Sequence, residues 1–176
     1  MFARIRRVTG FTLIEVVIAV GIIAVAVSVM LGLLPAVTRG SVRSSDTLNA
    51  LRLPDGLRIE LKRMATTGGF AALAAQTKPL ADPLSDTCVL VATRDAYRVC
   101  ALDYQPPAPA DQIEDDARYF LIEVWRFDSA PLAFTAGDAV LPMHVRVSWP
   151  YRIAGSSAIT PASARDHVEF NLALNQ

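Results

Sequence analysis

The stretch RRVTGFTLIEVVIAVGIIAVAVSVMLGLLP, residues 6–35, decides how the remaining chain is read. From Phe11 to Leu34 it is apolar apart from Thr12, Glu15 and Ser28. At 1.5 Å rise per residue, a helix of that length spans roughly 36 Å, enough to cross a hydrocarbon core of about 30 Å with some tilt. Gly21 and Gly32 are tolerated in such helices. Pro35 predicts a break or kink. Glu15 is the anomaly. A carboxylate at the centre of a membrane helix costs about 2.5–3.5 kcal/mol, less near an end, so its presence needs a reason.

The chain has 176 residues, enough for one domain and an appendage. Its 17 basic and 17 acidic residues balance, but not evenly. Arg4, Arg6 and Arg7 fall in the first ten residues with no acid, which leaves 14 basic against 17 acidic residues, net −3, beyond them. There is no basic tail and no stripe of basic and aromatic residues, so the composition argues against nucleic-acid binding.

Arginines followed by an apolar run suit a secretory signal peptide with a small-residue site at Ala24-Val25-Ala26. The apolar run, however, continues past that site to Leu34, and an acid near its start is foreign to such signals. A plain membrane anchor is the second reading. Arg4, Arg6 and Arg7 on one side and Arg39, Arg43 and Arg52 on the other leave its orientation undecided by charge.

The third reading rests on the motif itself. A short basic leader, Gly10, Phe11, a glutamate four residues later at Glu15 and a long apolar run together resemble the cleavage and methylation motif of type IV prepilins and type II secretion pseudopilins. The close resemblance covers about the first 35 residues. It implies that a prepilin peptidase in the inner membrane cuts between Gly10 and Phe11 and methylates the new amine of Phe11. It also implies a cytoplasmic N-terminus and a C-terminal domain on the periplasmic side. The expected partners are that peptidase, other pilin or pseudopilin subunits and the inner membrane; no cofactor is implied. Glu15 then has a role in assembly, because the matching family glutamate attracts the amine of an adjacent subunit. Within one chain, Phe11 and Glu15 are also helix neighbours at i and i+4. The organisation expected is a leader, 1–10; a transmembrane and assembly helix, 11–35; an amphipathic helical continuation, 36–69; and a globular, mainly β domain, 70–176.

The pattern beyond Pro35 supports an α+β fold: a long N-terminal helix packed on a mainly antiparallel sheet. Leu48, Leu51, Leu57, Leu61 and Met64 recur at helical spacing. Pro54-Asp55-Gly56 predicts an interruption, Gly68-Gly69 an end, and FAALAAQ (70–76) a short helix. CVLVATRDAYRVCALDY reads as a hairpin, Cys88–Thr93 and Ala96–Tyr104. A three-residue loop, Thr93–Asp95, would set Ala92 opposite Ala96 and Cys88 opposite Cys100, which predicts a disulfide in a domain outside the cytoplasm. YFLIEVWRF (119–127) presents Phe120, Ile122 and Val124 on one face. MHVRVSW (143–149) turns Val145, Val147 and Trp149 inward and His144, Arg146 and Ser148 outward. HVEFNLALN (167–175) buries Val168, Phe170, Leu172 and Leu174. The strand ending RVSWP is similar to the sheet of some minor pilins, which points to a minor subunit.

QPPAPADQIEDD (105–116) brings Asp111, Glu114, Asp115 and Asp116 together. Some pseudopilins bind calcium, but this spacing matches no calcium loop, and a solvated acidic loop is the better reading. No phosphate-binding glycine loop, HExxH or GxSxG motif occurs, and His144 and His167 alternate with core positions, so no enzymatic constellation is visible. The functional expectation is a structural subunit of a type IV pilus or type II secretion-like filament. The alternative is a single-pass, membrane-anchored extracytoplasmic binding protein outside any filament.

Overall fold

The computed structural model describes residues 12–66, 68–80, 88–102, 113–153, 156 and 158–175. In chain order its elements are α1 (Leu13–Ala50), α2 (Leu53–Ala65), α3 (Gly69–Gln76), β1 (Lys78–Pro79), β2 (Cys88–Ala92), β3 (Val99–Ala101), β4 (Phe120–Arg126), β5 (Val140–Trp149) and β6 (Asp166–Asn175). The chain divides into two compact units, Met1–Ser44 and Ser45–Gln176.

In the first unit, every described residue from Thr12 to Ser44 is exposed, including Ile14, Ile18, Ile22, Met30 and Leu34. A helix that is apolar all round and has no protein against it is suited to lipid or to other helices. By length and composition it can cross a membrane. Pro35 does not end it: α1 continues through the proline to Ala50. Proline removes one backbone donor, and two hydroxyls of the helix bond back to its carbonyls. Thr38 donates to the Leu34 carbonyl at 2.5 Å and Ser28 to that of Ala24 at 2.8 Å. Neither bond reaches the Leu31 carbonyl, the one that Pro35 leaves without its amide partner.

In the second unit, the interruption foreseen near Pro54 falls at Leu51-Arg52, where the Arg52 amide bonds the Asn49 carbonyl and closes a tighter turn. Pro54 lies in the first turn of α2, where a missing N–H costs nothing. From there Leu53, Leu57 and Leu61 recur every four residues and are fully buried. The stripe differs from the sequence pattern upstream of Pro54. Leu48 and Leu51 are exposed, and Ala50 and Leu53 are buried instead, because the turn resets the helical phase.

The sheet order is β3-β2-β4-β5-β6, antiparallel throughout, with β1 added parallel to β4. Phe120, Ile122, Val124, Val145, Val147, Trp149, Leu172 and Leu174 are buried in one cluster with α2, as their alternation foretold, and Met143 joins them. Val168 and Phe170 pack at its margin, half-buried. Gly56 permits close approach of α2 to the hairpin: a Cβ there would lie 3.2 Å from Val99 Cγ2. The opposite face holds a second, smaller cluster, Val91, Cys100, Ile113, Leu121 and Tyr151. Ser148, assigned to solvent by alternation, is therefore buried on this second face.

The expected cysteine pair is not formed. The hairpin pairs Val91 with Cys100 and Ala92 with Val99, and Cys88 faces Val124 of β4 instead. The physical cause is the turn, which is longer than three residues. The Thr93 amide bonds the Arg98 carbonyl, Asp95 accepts from the Thr93 hydroxyl and the Tyr97 amide, and Ala96 takes a positive φ of 62°. That register puts Cys88 in the helix-side cluster and Cys100 in the other, on opposite faces of the sheet. Both are free, buried thiols. Burial, with the Glu60 carboxylate nearby, pushes Cys88 up to about 11, which disfavours the reactive thiolate.

Candidate functional site

Gly10 and Phe11 lie outside the described residues; Glu15 lies within them. Its carboxylate is not left facing lipid alone. Glu15 Oε2 accepts from the Thr12 amide at 3.1 Å and from the Thr12 hydroxyl at 3.0 Å, while the Glu15 amide donates to Thr12 Oγ1 at 3.3 Å. This is a reciprocal capping box, with Thr12 just before α1 and Glu15 three residues on. It satisfies amides that the start of a helix leaves unpaired and puts a negative charge at the positive end of the dipole. Among the described residues Oε1 takes no hydrogen bond, so one oxygen remains for another donor. Thr12 is a residue the sequence reading did not single out. The signal was present, since a threonine three residues before a glutamate at the head of an apolar run is a helix-start signature.

A second polar constellation, also unforeseen, closes the helical end of the second unit. Asp46 is 4% exposed. Arg94 donates to it twice, Nε to Oδ1 at 2.9 Å and Nη2 to Oδ2 at 3.1 Å. The Tyr119 hydroxyl donates to Oδ2 at 2.7 Å, and the guanidinium of Arg94 lies 4.8 Å from the Tyr119 ring centre. Asn49 adds a bond from Nδ2 to the Arg94 carbonyl at 3.0 Å. Burial and the Asp46 carboxylate push Tyr119 up to about 12, and the bond to Asp46 raises Arg94 as well. Partners 48 and 73 residues apart in sequence could not be matched by spacing alone. The arrangement is structural: a buried carboxylate with its acceptors filled.

Of the acidic segment, Asp111 lies outside the described residues. Asp115 pairs with Arg118 at 2.8 Å and Arg152 at 3.2 Å, which makes it an ion-pair acceptor. Among the described residues no group of three or more His, Cys, Asp or Glu is arranged to hold a metal. His144 and His167 both stand on the sheet face away from α2. His144 Nδ1 is 3.1 Å from Asn171 Oδ1 and its Nε2 is 3.7 Å from Glu169.

Residues 5–31 match the model of the prokaryotic N-terminal methylation motif. The match contains Gly10, Phe11, the Thr12–Glu15 box and most of the apolar part of α1. No curated protein and no solved structure matches the chain. That motif, an exposed apolar helix and an α+β domain of helix on sheet together support the type IV prepilin and pseudopilin family. The family that carries this motif is structural rather than catalytic. Its motif implies processing by prepilin peptidase, anchoring in a membrane and assembly with pilin-type subunits.

Proposed function

We propose that the chain is a minor pilin or pseudopilin, cut between Gly10 and Phe11, methylated on the Phe11 amine and inserted as a subunit into a type IV pilus or a type II secretion-like filament. The observation that carries this reading is the state of Glu15: capped by Thr12 through one oxygen, with no hydrogen bond to the other among the described residues. Cleavage creates a positive amine next to the capping box. Glu15 of one copy attracts the Phe11 amine of another, and that attraction draws apolar helices together where lipid gives little driving force of its own. In this reading residues 1–10 are the cytoplasmic leader, 11–35 the membrane and assembly helix, 36–69 its helical continuation, and 70–176 the globular part on the periplasmic side.

Mass spectrometry of the N-terminus of the mature protein from membranes tests this. A chain that begins with methylated Phe11 is expected. One that begins near Val27 would mean a secretory signal, and an intact Met1 a plain anchor carrying an extracytoplasmic binding domain; either overturns the proposal.

A further inference from the structure

We propose that β6 is a self-association edge, on which two copies of this chain pair strand to strand about a two-fold axis at Asn171. β6 is the last strand of the sheet order and runs ten residues, Asp166–Asn175, in unbroken register against β5. Among the described residues, no strand pairs with its other side. An open edge presents a row of backbone donors and acceptors, and proteins usually blunt such edges with proline, lysine, a bulge or a short strand. DHVEFNLALN has no proline, lysine or bulge, and its two carboxylates, Asp166 and Glu169, leave residues 170–175 without a charge. The opposite edge, β3, is blunted by its length, three residues.

The side chains of β6 choose the occupant. One face carries Val168, Phe170, Leu172 and Leu174, of which Val168 and Phe170 are half-buried beside the core and left unfinished at the edge. The other carries His167, Glu169, Asn171, Ala173 and Asn175. A second copy of the same strand, antiparallel about Asn171, sets Phe170 against Leu172 and Val168 against Leu174 on the apolar face. On the polar face it sets Asn171 against its own copy, Glu169 against Ala173 and His167 against Asn175. On the face of Val168, Phe170, Leu172 and Leu174 each apolar residue meets another, and no like charges are opposed. Moving the axis to Phe170 sets Asp166 against Leu174. Moving it to Glu169 puts two carboxylates face to face. The register about Asn171 is thus the longest that matches both faces. Such an isologous contact closes on itself, so it cannot propagate a filament. It adds a pairwise contact independent of the apolar helix and of the filament reading.

Single cysteines in the full-length chain in membrane vesicles test the pairing under mild oxidation, with the parent chain and its two buried thiols as control. At a two-fold axis the Asn171 positions fall within disulfide reach in either type of antiparallel pair. Asn171→Cys is expected to give on the order of tenfold more disulfide-linked dimer than Ala173→Cys, whose two copies would lie about 13 Å apart along the strands. Ala173→Cys mixed with Glu169→Cys is expected to cross-link, because those positions are opposed. All three positions are exposed, so the variants do not threaten the fold. Cross-linking of Asn171→Cys no greater than the parent's, or equal cross-linking by Ala173→Cys alone, would overturn the proposal.

Discussion

At the residue scale the central fact is that Glu15 has two kinds of interaction open to it. Through Oε2 it closes a capping box with Thr12; its charge remains for an amine. The two can be separated, because glutamine serves in a capping box as well as glutamate. Glu15→Gln keeps the cap and discards the charge, whereas Glu15→Leu discards both. Both variants are expected to insert in the membrane and to be cleaved. If the charge drives assembly, both incorporate poorly, which comparison of sheared filament and membrane fractions by immunoblot would show. Incorporation of Glu15→Gln at the parent level would leave capping as the whole role of Glu15 and sink the amine pairing.

At the scale of elements, legibility followed periodicity. β5 and β6 were readable because each alternates over most of its length, β4 because it is a short run of strand-forming apolar residues, and α2 because Leu57 and Leu61 repeat at helical spacing. The β2–β3 hairpin was not, because its turn is held by side-chain bonds from Thr93 and Asp95 that no loop-length rule anticipates. An error of three positions in that turn was enough to put two cysteines on opposite faces. The Asp46–Arg94–Tyr119 contact was invisible for a different reason: it joins α1, the hairpin turn and the approach to β4, and only the folded sheet brings them together. Its pH dependence follows from Tyr119. The folded value, about 12, lies above the ordinary 10, so the hydroxyl's contribution is complete below pH 10 and is lost as pH rises from 10 to 12. Tyr119→Phe is expected to cost about 0.5–1.5 kcal/mol at neutral pH and to flatten part of the alkaline decline. Both tryptophans, Trp125 and Trp149, are buried on sheet strands, so their fluorescence reports unfolding of the full chain in micelles. An unchanged alkaline slope in Tyr119→Phe would refute the assignment.

For the molecule as a whole, the division into Met1–Ser44 and Ser45–Gln176 separates two solutions to the burial of apolar surface. The first unit leaves its apolar residues exposed and depends on a membrane or on neighbouring helices. The second buries its own: Leu53, Leu57 and Leu61 of α2 against four long or central strands, with Asp46 satisfied inside the same unit. The α2 stripe begins only after the turn at Leu51-Arg52, so the helix residues that complete the core lie C-terminal to Ser44. A chain that starts at Ser45 is therefore expected to fold in water without detergent and to unfold cooperatively. One that starts at Gly69 loses Asp46 and the whole leucine stripe and exposes the apolar face of the sheet. Leu61→Ala within the longer fragment should cost about 2–5 kcal/mol, the price of emptying a fully buried leucine site. Urea unfolding followed by tryptophan fluorescence measures both effects. A Gly69–Gln176 fragment as stable as Ser45–Gln176 would show that the sheet needs no helix to cover it, against the burial of Leu53, Leu57 and Leu61 on it.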